Sequence, residues 1–217
     1  MYALLLLAVI AYFVIRHSRY IDDEYALISR RLGDRLTKLW EIAHLGMREN
    51  RFLRAEKALL TILKIDEKNA AAYNRLGILY AKQREYKDAI DCFEIASSIE
   101  PSASSLHNLG LIYYETENYQ KAATAFEQAL KLEEDLAARH IAYAKVQEKL
   151  GNDKLMIQEL ERAAELEPNN ETYNLLMNAY ESRGMGEEAA KVRRKLGRTT
   201  SVANRPKKVF RPRRVVI

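Results

Sequence analysis

The sequence predicts an all-α protein, an α-solenoid of about five helix-turn-helix units preceded by an N-terminal transmembrane helix. Three observations predict it. Eight positions match together at one fixed interval, the chain opens with fifteen uncharged residues, and only four prolines and eight glycines interrupt its 217 residues. Hydrophobic residues make up 48% and charged residues 30%, which suits one domain with a real core and a wet outer surface. Abundant alanine and leucine favour helix over sheet.

Residues Met1–Ile15 (MYALLLLAVIAYFVI) are apolar and uncharged, and Arg16, His17 and Arg19 follow at once. As a helix they span about 22 Å, short of a hydrocarbon core of about 30 Å, but Arg16 can snorkel and the bilayer can thin. No basic side chain precedes the apolar stretch and Arg16-His17-Ser18-Arg19 follows it, so an uncleaved anchor (residues 1–19) is expected ahead of a cleaved signal peptide or a buried or interfacial helix. The positive-inside rule then puts the N-terminus outside and the rest of the chain in the cytoplasm, most simply of a bacterial inner membrane. Residues 20–35 are read as a helical linker. Ile21, Tyr25, Ile28, Leu32, Leu36, Leu39 and Ala43 follow one another at intervals of three and four, giving one apolar stripe expected to lie on the first repeat, the alternative being a short coiled coil with another copy.

Tyr73, Leu76, Gly77, Tyr80, Tyr86, Ala89, Phe93 and Ala96 are matched farther on by Leu106, Leu109, Gly110, Tyr113, Tyr119, Ala122, Phe126 and Ala129, each at the same distance along the chain. The interval is about 33 residues, and a two-helix repeat of this length and pattern resembles the tetratricopeptide repeat family. Weaker copies flank the two, giving units at 36–69, 70–102, 103–136, 137–169 and 170–197. Gly77, Gly110, Ala89 and Ala122 are expected to let paired helices approach closely. Tyr80, Tyr113, Phe93 and Phe126 are expected to fill the space between neighbouring units. Pro101 and Pro168 end second helices. One such unit cannot bury its apolar face alone, so stacking supplies the core.

The resemblance implies a protein-binding scaffold whose concave face is lined by the first helix of each unit. In this register that face carries Trp40, His44 and Met47, then Asn74, Ile78 and Lys82, then His107, Leu111 and Tyr114, with Ile141, Lys145, Asn174 and Asn178 beyond. Large apolar residues such as Trp40, Leu111 and Tyr114 in a groove point to a peptide or partner helix. The family's carboxylate clamp is not matched. The corresponding positions are Trp40, His44, Arg75, Ser104 and Asn108 or, one unit on, Asn74, Ile78, Asn108, Ala138 and Ala142, and neither set is basic enough.

Catalysis is not expected. There is no phosphate loop and no HExxH pair, and Cys92 is the single cysteine, so neither a disulfide within the chain nor a cysteine zinc site can form. Two histidines one repeat apart, His107 and His140, make a poor metal site, and no cofactor or metal is expected. Residues 198–217 carry seven of the basic residues and no acid, leaving 28 basic against 30 acidic elsewhere. This tail reads as disordered, with Arg205, Lys207, Lys208, Arg211, Arg213 and Arg214 free to meet anionic lipid or nucleic acid. The expected function is recruitment of a protein or peptide to a membrane assembly such as envelope-biogenesis, secretion or pilus machinery. The alternative is a ribosome- or nucleic-acid-associated factor acting through the tail. The sequence leaves the oligomeric state open.

Overall fold

Alternating runs of small and large apolar residues at helical spacing, broken by short polar turns, fold into helix after helix. A computed structural model describes residues 30–203, with side chains as far as Leu196. Ten helices occur among the described residues. They are α1 (30–48), α2 (Phe52–Ile65), α3 (Ala70–Gln83), α4 (Tyr86–Ile99), α5 (Ala103–Glu115), α6 (Tyr119–Leu132), α7 (Ala137–Lys149), α8 (Asp153–Leu166), α9 (Asn170–Ser182) and α10 (Gly186–Ala203). The expected anchor, most of the expected linker and the basic residues 205–214 lie outside the described residues. Among the described residues no helix is long and apolar enough to cross a membrane.

The chain divides into two compact units, Met1–Ile99 and Glu100–Ile217. In the first, α3 pairs with α4, and α2 packs on α3. Ala43 and Met47 from α1 join Ala55, Leu59 and Ile62 from α2 and Leu76 and Leu79 from α3 in one buried cluster. The Tyr80 hydroxyl on α3 donates to Glu56 on α2 at 2.9 Å, a bond from one helix pair to the next. In the second unit α5 pairs with α6, α7 with α8 and α9 with α10, while α6 packs on α7 and α8 on α9. Ala144, Met156, Leu160, Leu176 and Tyr180 hold the last two pairs together.

Within a pair, spacing is set by a small residue on the first helix facing a large one on the second. A Cβ on Gly77 would lie 2.6 Å from the Phe93 ring, and one on Gly110 would lie 2.9 Å from the Phe126 ring. Phe93 and Phe126 therefore pack inside one repeat, across from its glycine, rather than in the expected place between neighbouring repeats. The same two positions hold Ala43 and Leu59 in the first repeat and Ala144 and Leu160 in the fourth. Each of these two pairs shares a buried cluster. Volume is conserved across the pair, glycine with phenylalanine and alanine with leucine.

The turn between the two helices of each pair is also periodic. Asn50, Arg84, Glu117, Gly151 and Gly184 all have positive φ, between 58° and 76°, and follow one another one repeat length apart. Each ends a first helix in the left-handed conformation, which costs a residue with a Cβ about 1–2 kcal/mol. Arg84→Gly and Glu117→Gly are each expected to stabilise the protein by about 0.5–1 kcal/mol, since glycine relieves that cost and returns part of it as unfolded-state entropy. Gly184→Ala is expected to destabilise by a similar amount, although a Cβ there would meet nothing within 4 Å. Urea midpoints of the three variants check both signs.

Two boundaries differ from the sequence reading. Helix α1 runs unbroken through 35 and 36, where the linker was expected to give way to the first repeat. Helix α10 continues to Ala203, well into the stretch from 198 onward that was read as tail.

Candidate functional site

A groove walled by two successive first helices lies between α7 and α9. Two kinds of chemistry place those helices. Asn169 caps α9: its side chain accepts from the Thr172 amide at 2.9 Å. The Thr172 hydroxyl, buried beneath, donates to the Glu167 carbonyl at 2.6 Å. Helix α7 has no side-chain cap. Its turn, Glu133–Leu136, also has no proline, unlike those holding Pro101 and Pro168. Instead two consecutive residues of α7 reach back and hold it. Buried Arg139 donates to the Glu133 carbonyl and to the Glu133 carboxylate, the latter at 2.9 Å. His140 Nε2 lies 2.8 Å from the Glu134 carbonyl and Nδ1 lies 2.6 Å from the Glu159 carboxylate on α8.

Both partners of the His140 ring are acceptors, so both nitrogens must donate and the imidazolium is the form that fits. Burial pushes its pKa down. The Glu159 hydrogen bond and charge and the Glu134 carbonyl outweigh burial and the opposing Arg162 charge, leaving the pKa raised. His107 on α5 is the opposite case. Burial first, then the nearby Arg139 charge, hold its pKa down. Its ring meets Phe126 edge-on at 5.4 Å and its Nδ1 is buried without a partner.

The groove itself has a volume of about 300 Å³. Its floor is Ala144, Met156, Leu160 and Ala179, and Ile141 and Leu175 form its walls. Lys145, Glu148, Asn178 and Ser182 form a polar rim. An apolar slot with a few donors and acceptors at its lip suits a side chain of an extended peptide, with the rim left to bind the peptide backbone or its charges.

The expected concave-face residues divide into several groups. Ile141, Lys145 and Asn178 come together in this groove. His44, Lys82, Leu111 and Asn174 are exposed on their helices. Asn74 is half-buried. Trp40 and Ile78 are half-buried against the core of the first unit, and Tyr114 is half-buried with its ring edge-on to Tyr119 at 5.6 Å. Met47 and His107 are corrections: Met47 belongs to the core at 7% exposure, because it sits one turn beyond Ala43 on the inward face. His107 turns inward because it lies one turn before Gly110, beside the Phe126 ring. Leu175 and Ser182 were missed; their spacing from Asn178, three back and four on, was the available signal. Cys92 is buried, and burial with Asp88 and Asp91 pushes its thiol up to about 11. Among the described residues no three His, Cys, Asp or Glu side chains are grouped to hold a metal.

Tetratricopeptide repeat models match residues 70–102, 103–136 and 138–170. Residues 70–170 carry tetratricopeptide repeats. The pair that follows matches the PPR repeat model instead, over 171–198. No curated protein sequence matches the chain. Among solved structures, the crystal structure of the MamA protein is similar at 22% identity and a TM-score of 0.71, over 83% of this chain and 100% of that one. MamA 41-end from Desulfovibrio magneticus RS-1 is similar at 14% identity and 0.69, over 79% and 98%. YrrB, a TPR protein with an unusual peptide-binding site, is similar at 21% identity and 0.61, over 70% and 80%. At these identities the likeness is one of fold.

Proposed function

We propose that this protein is a scaffold that captures a peptide segment of a partner protein in the α7–α9 groove. In this reading residues 1–15 anchor it, so that it recruits the partner to a membrane assembly of the envelope-biogenesis, secretion or pilus kind. The observation that carries the reading is the groove: first-helix residues from two successive repeats converge on an apolar slot with Lys145, Asn178 and Ser182 at its lip. The repeat family supports protein binding, and the peptide-binding site of YrrB is a precedent on a similar fold.

The groove fits an extended segment with one aliphatic side chain entering between Ile141 and Leu175, its backbone meeting the Asn178 amide, and an acidic group near Lys145. Burying such a side chain is worth about 1.5–3 kcal/mol. A peptide selected from a random display library on the full chain should therefore lose at least about tenfold in affinity, about 1.4 kcal/mol, with Leu175→Asp. It should lose less with Asn178→Ala and nothing with Lys82→Ala, which lies outside the groove. Fluorescence anisotropy of the labelled peptide reads all three. Equal binding by the Leu175→Asp variant contradicts the assignment. Loss of binding with salt alone, together with retained RNA, favours the basic tail as the working part.

A further inference from the structure

The first helix pair has a surface that the groove does not use. Residues 30–65 carry nine Lys or Arg against four Asp or Glu, whereas residues 66–196 carry seventeen against twenty-three. Helix α1 carries five of these basic residues against two acids, and α2 carries three against one. Leu53, Lys57, Leu60 and Lys64 recur at i, i+4, i+7 and i+11 and point away from the buried Ala55, Leu59 and Ile62. Leu53 is 65% exposed and Leu60 42%. The one acid of α2, Glu56, is bonded to Tyr80 at 2.9 Å on the flank of the helix, so the outward face presents leucine and lysine without a carboxylate.

Beside this face, α1 and α2 enclose an open groove of about 470 Å³. Leu39, Ile42 and Ala58 line it, Leu53 walls it, and Arg54 and Lys57 stand at its rim. Helix α1 adds exposed Leu32, Arg35 and Lys38. Upstream, the uncharged Met1–Ile15 is separated from α1 by residues 16–29 alone. That stretch reaches at most about 50 Å when extended and about 21 Å as a helix.

We propose that the α1–α2 face docks on an anionic lipid surface, with Leu53 and Leu60 entering the headgroup–acyl boundary and Arg54, Lys57 and Lys64 meeting lipid phosphates. This rests on the reading of residues 1–15 as the anchor. A helix with leucines on one face and lysines among them is built to lie in that interface. Each basic residue near an anionic surface adds to the attraction, and the tether keeps the face at high local concentration. An acidic amphipathic helix from a protein is the other occupant this charge would suit. Lipid is favoured because the exposed leucines alternate with lysines along one outward face of α2, and because the anchor, on this reading, keeps that face within about 50 Å of a bilayer.

The test uses the full chain with Leu60→Cys carrying an environment-sensitive fluorophore; Cys92 is buried and its thiol is pushed up to about 11, so it is not labelled. The protein is reconstituted in vesicles of phosphatidylcholine alone or mixed with phosphatidylglycerol, with spin-labelled lipid as quencher. The expected result is several-fold stronger quenching with phosphatidylglycerol, abolished by Arg54→Glu/Lys57→Glu/Lys64→Glu and by high salt, with the melting temperature unchanged. Flotation separates the two readings. A chain that floats with both vesicle types while its label stays in water overturns the docking and leaves the anchor standing, with the acidic helix as the occupant to pursue. A chain that floats with neither overturns both.

Discussion

Gly77→Ala destabilises the protein by about 1–3 kcal/mol, and adding Phe93→Leu restores most of the loss. The added methyl would stand 2.6 Å from the nearest atom of the Phe93 ring, closer than non-bonded carbons approach. Phe93 is 1% exposed, so its ring is enclosed by the protein. Helices α3 and α4 must then part, or the ring must leave its rotamer. Phe93→Leu alone leaves a void opposite Gly77 and costs about 1–2 kcal/mol. Together the two changes recreate the pairing that the first and fourth repeats already use, Ala43 with Leu59 and Ala144 with Leu160. The double variant is therefore expected within about 1 kcal/mol of the parent, with a favourable coupling between the sites. Urea denaturation of the four proteins in the cycle measures it. Additive losses would mean that this small-to-large pairing does not set helix spacing.

His140→Ala costs about 2–4 kcal/mol at pH 6 and distinctly less at pH 9, because the ring is 6% exposed and donates to two acceptors. Its removal strands the Glu134 carbonyl and a Glu159 carboxylate that is only 14% exposed. The direction with pH follows from the raised pKa of His140. A group that holds its proton more tightly folded than unfolded contributes fully below its unfolded value of about 6.5, and that contribution is lost as pH rises through the higher folded value. His107 acts in the other direction: with its pKa lowered, it favours the fold above about 6.5 and loses that contribution as pH falls through its folded value. The whole-protein pH profile mixes the two, so the difference between parent and His140→Ala is the quantity to follow. Ring-nitrogen NMR gives a direct check. The His140 ring should keep both protons to a higher pH than an ordinary histidine and His107 should lose its second proton at a lower one, and a His140 titration below the ordinary histidine value of about 6.5 would contradict the assignment.

The repeat was legible because Gly77, Tyr80, Tyr86 and Phe93 recur unchanged as Gly110, Tyr113, Tyr119 and Phe126. Physical compensation hid the rest. The first and fourth repeats look weak in sequence because Ala43 and Ala144 replace glycine, yet leucine replaces phenylalanine in step at Leu59 and Leu160, and each pair shares a buried cluster. The left-handed turn recurs in all five pairs, but only Gly151 and Gly184 announce it; Asn50, Arg84 and Glu117 adopt the same conformation without a glycine. The candidate site was legible where a helix face points outward, as at Ile141, Lys145 and Asn178. It failed at Met47 and His107, where one turn along the helix separates the outward face from the core. The buried cations Arg139 and His140 were not legible as turn clasps, since their partners are mainly backbone carbonyls and a carboxylate on the following helix.

A photoreactive phenylalanine analogue in place of Asn178, in the full chain in its native membranes, tests most directly whether the groove between α7 and α9 receives a partner. The expected result is one discrete adduct, joined at a segment with an aliphatic residue, that disappears when Leu175→Asp is added and persists when Lys82→Ala is added. Adducts that ignore Leu175→Asp, or that form equally when the same analogue replaces Lys82, would show that the groove is not where this protein holds its partner.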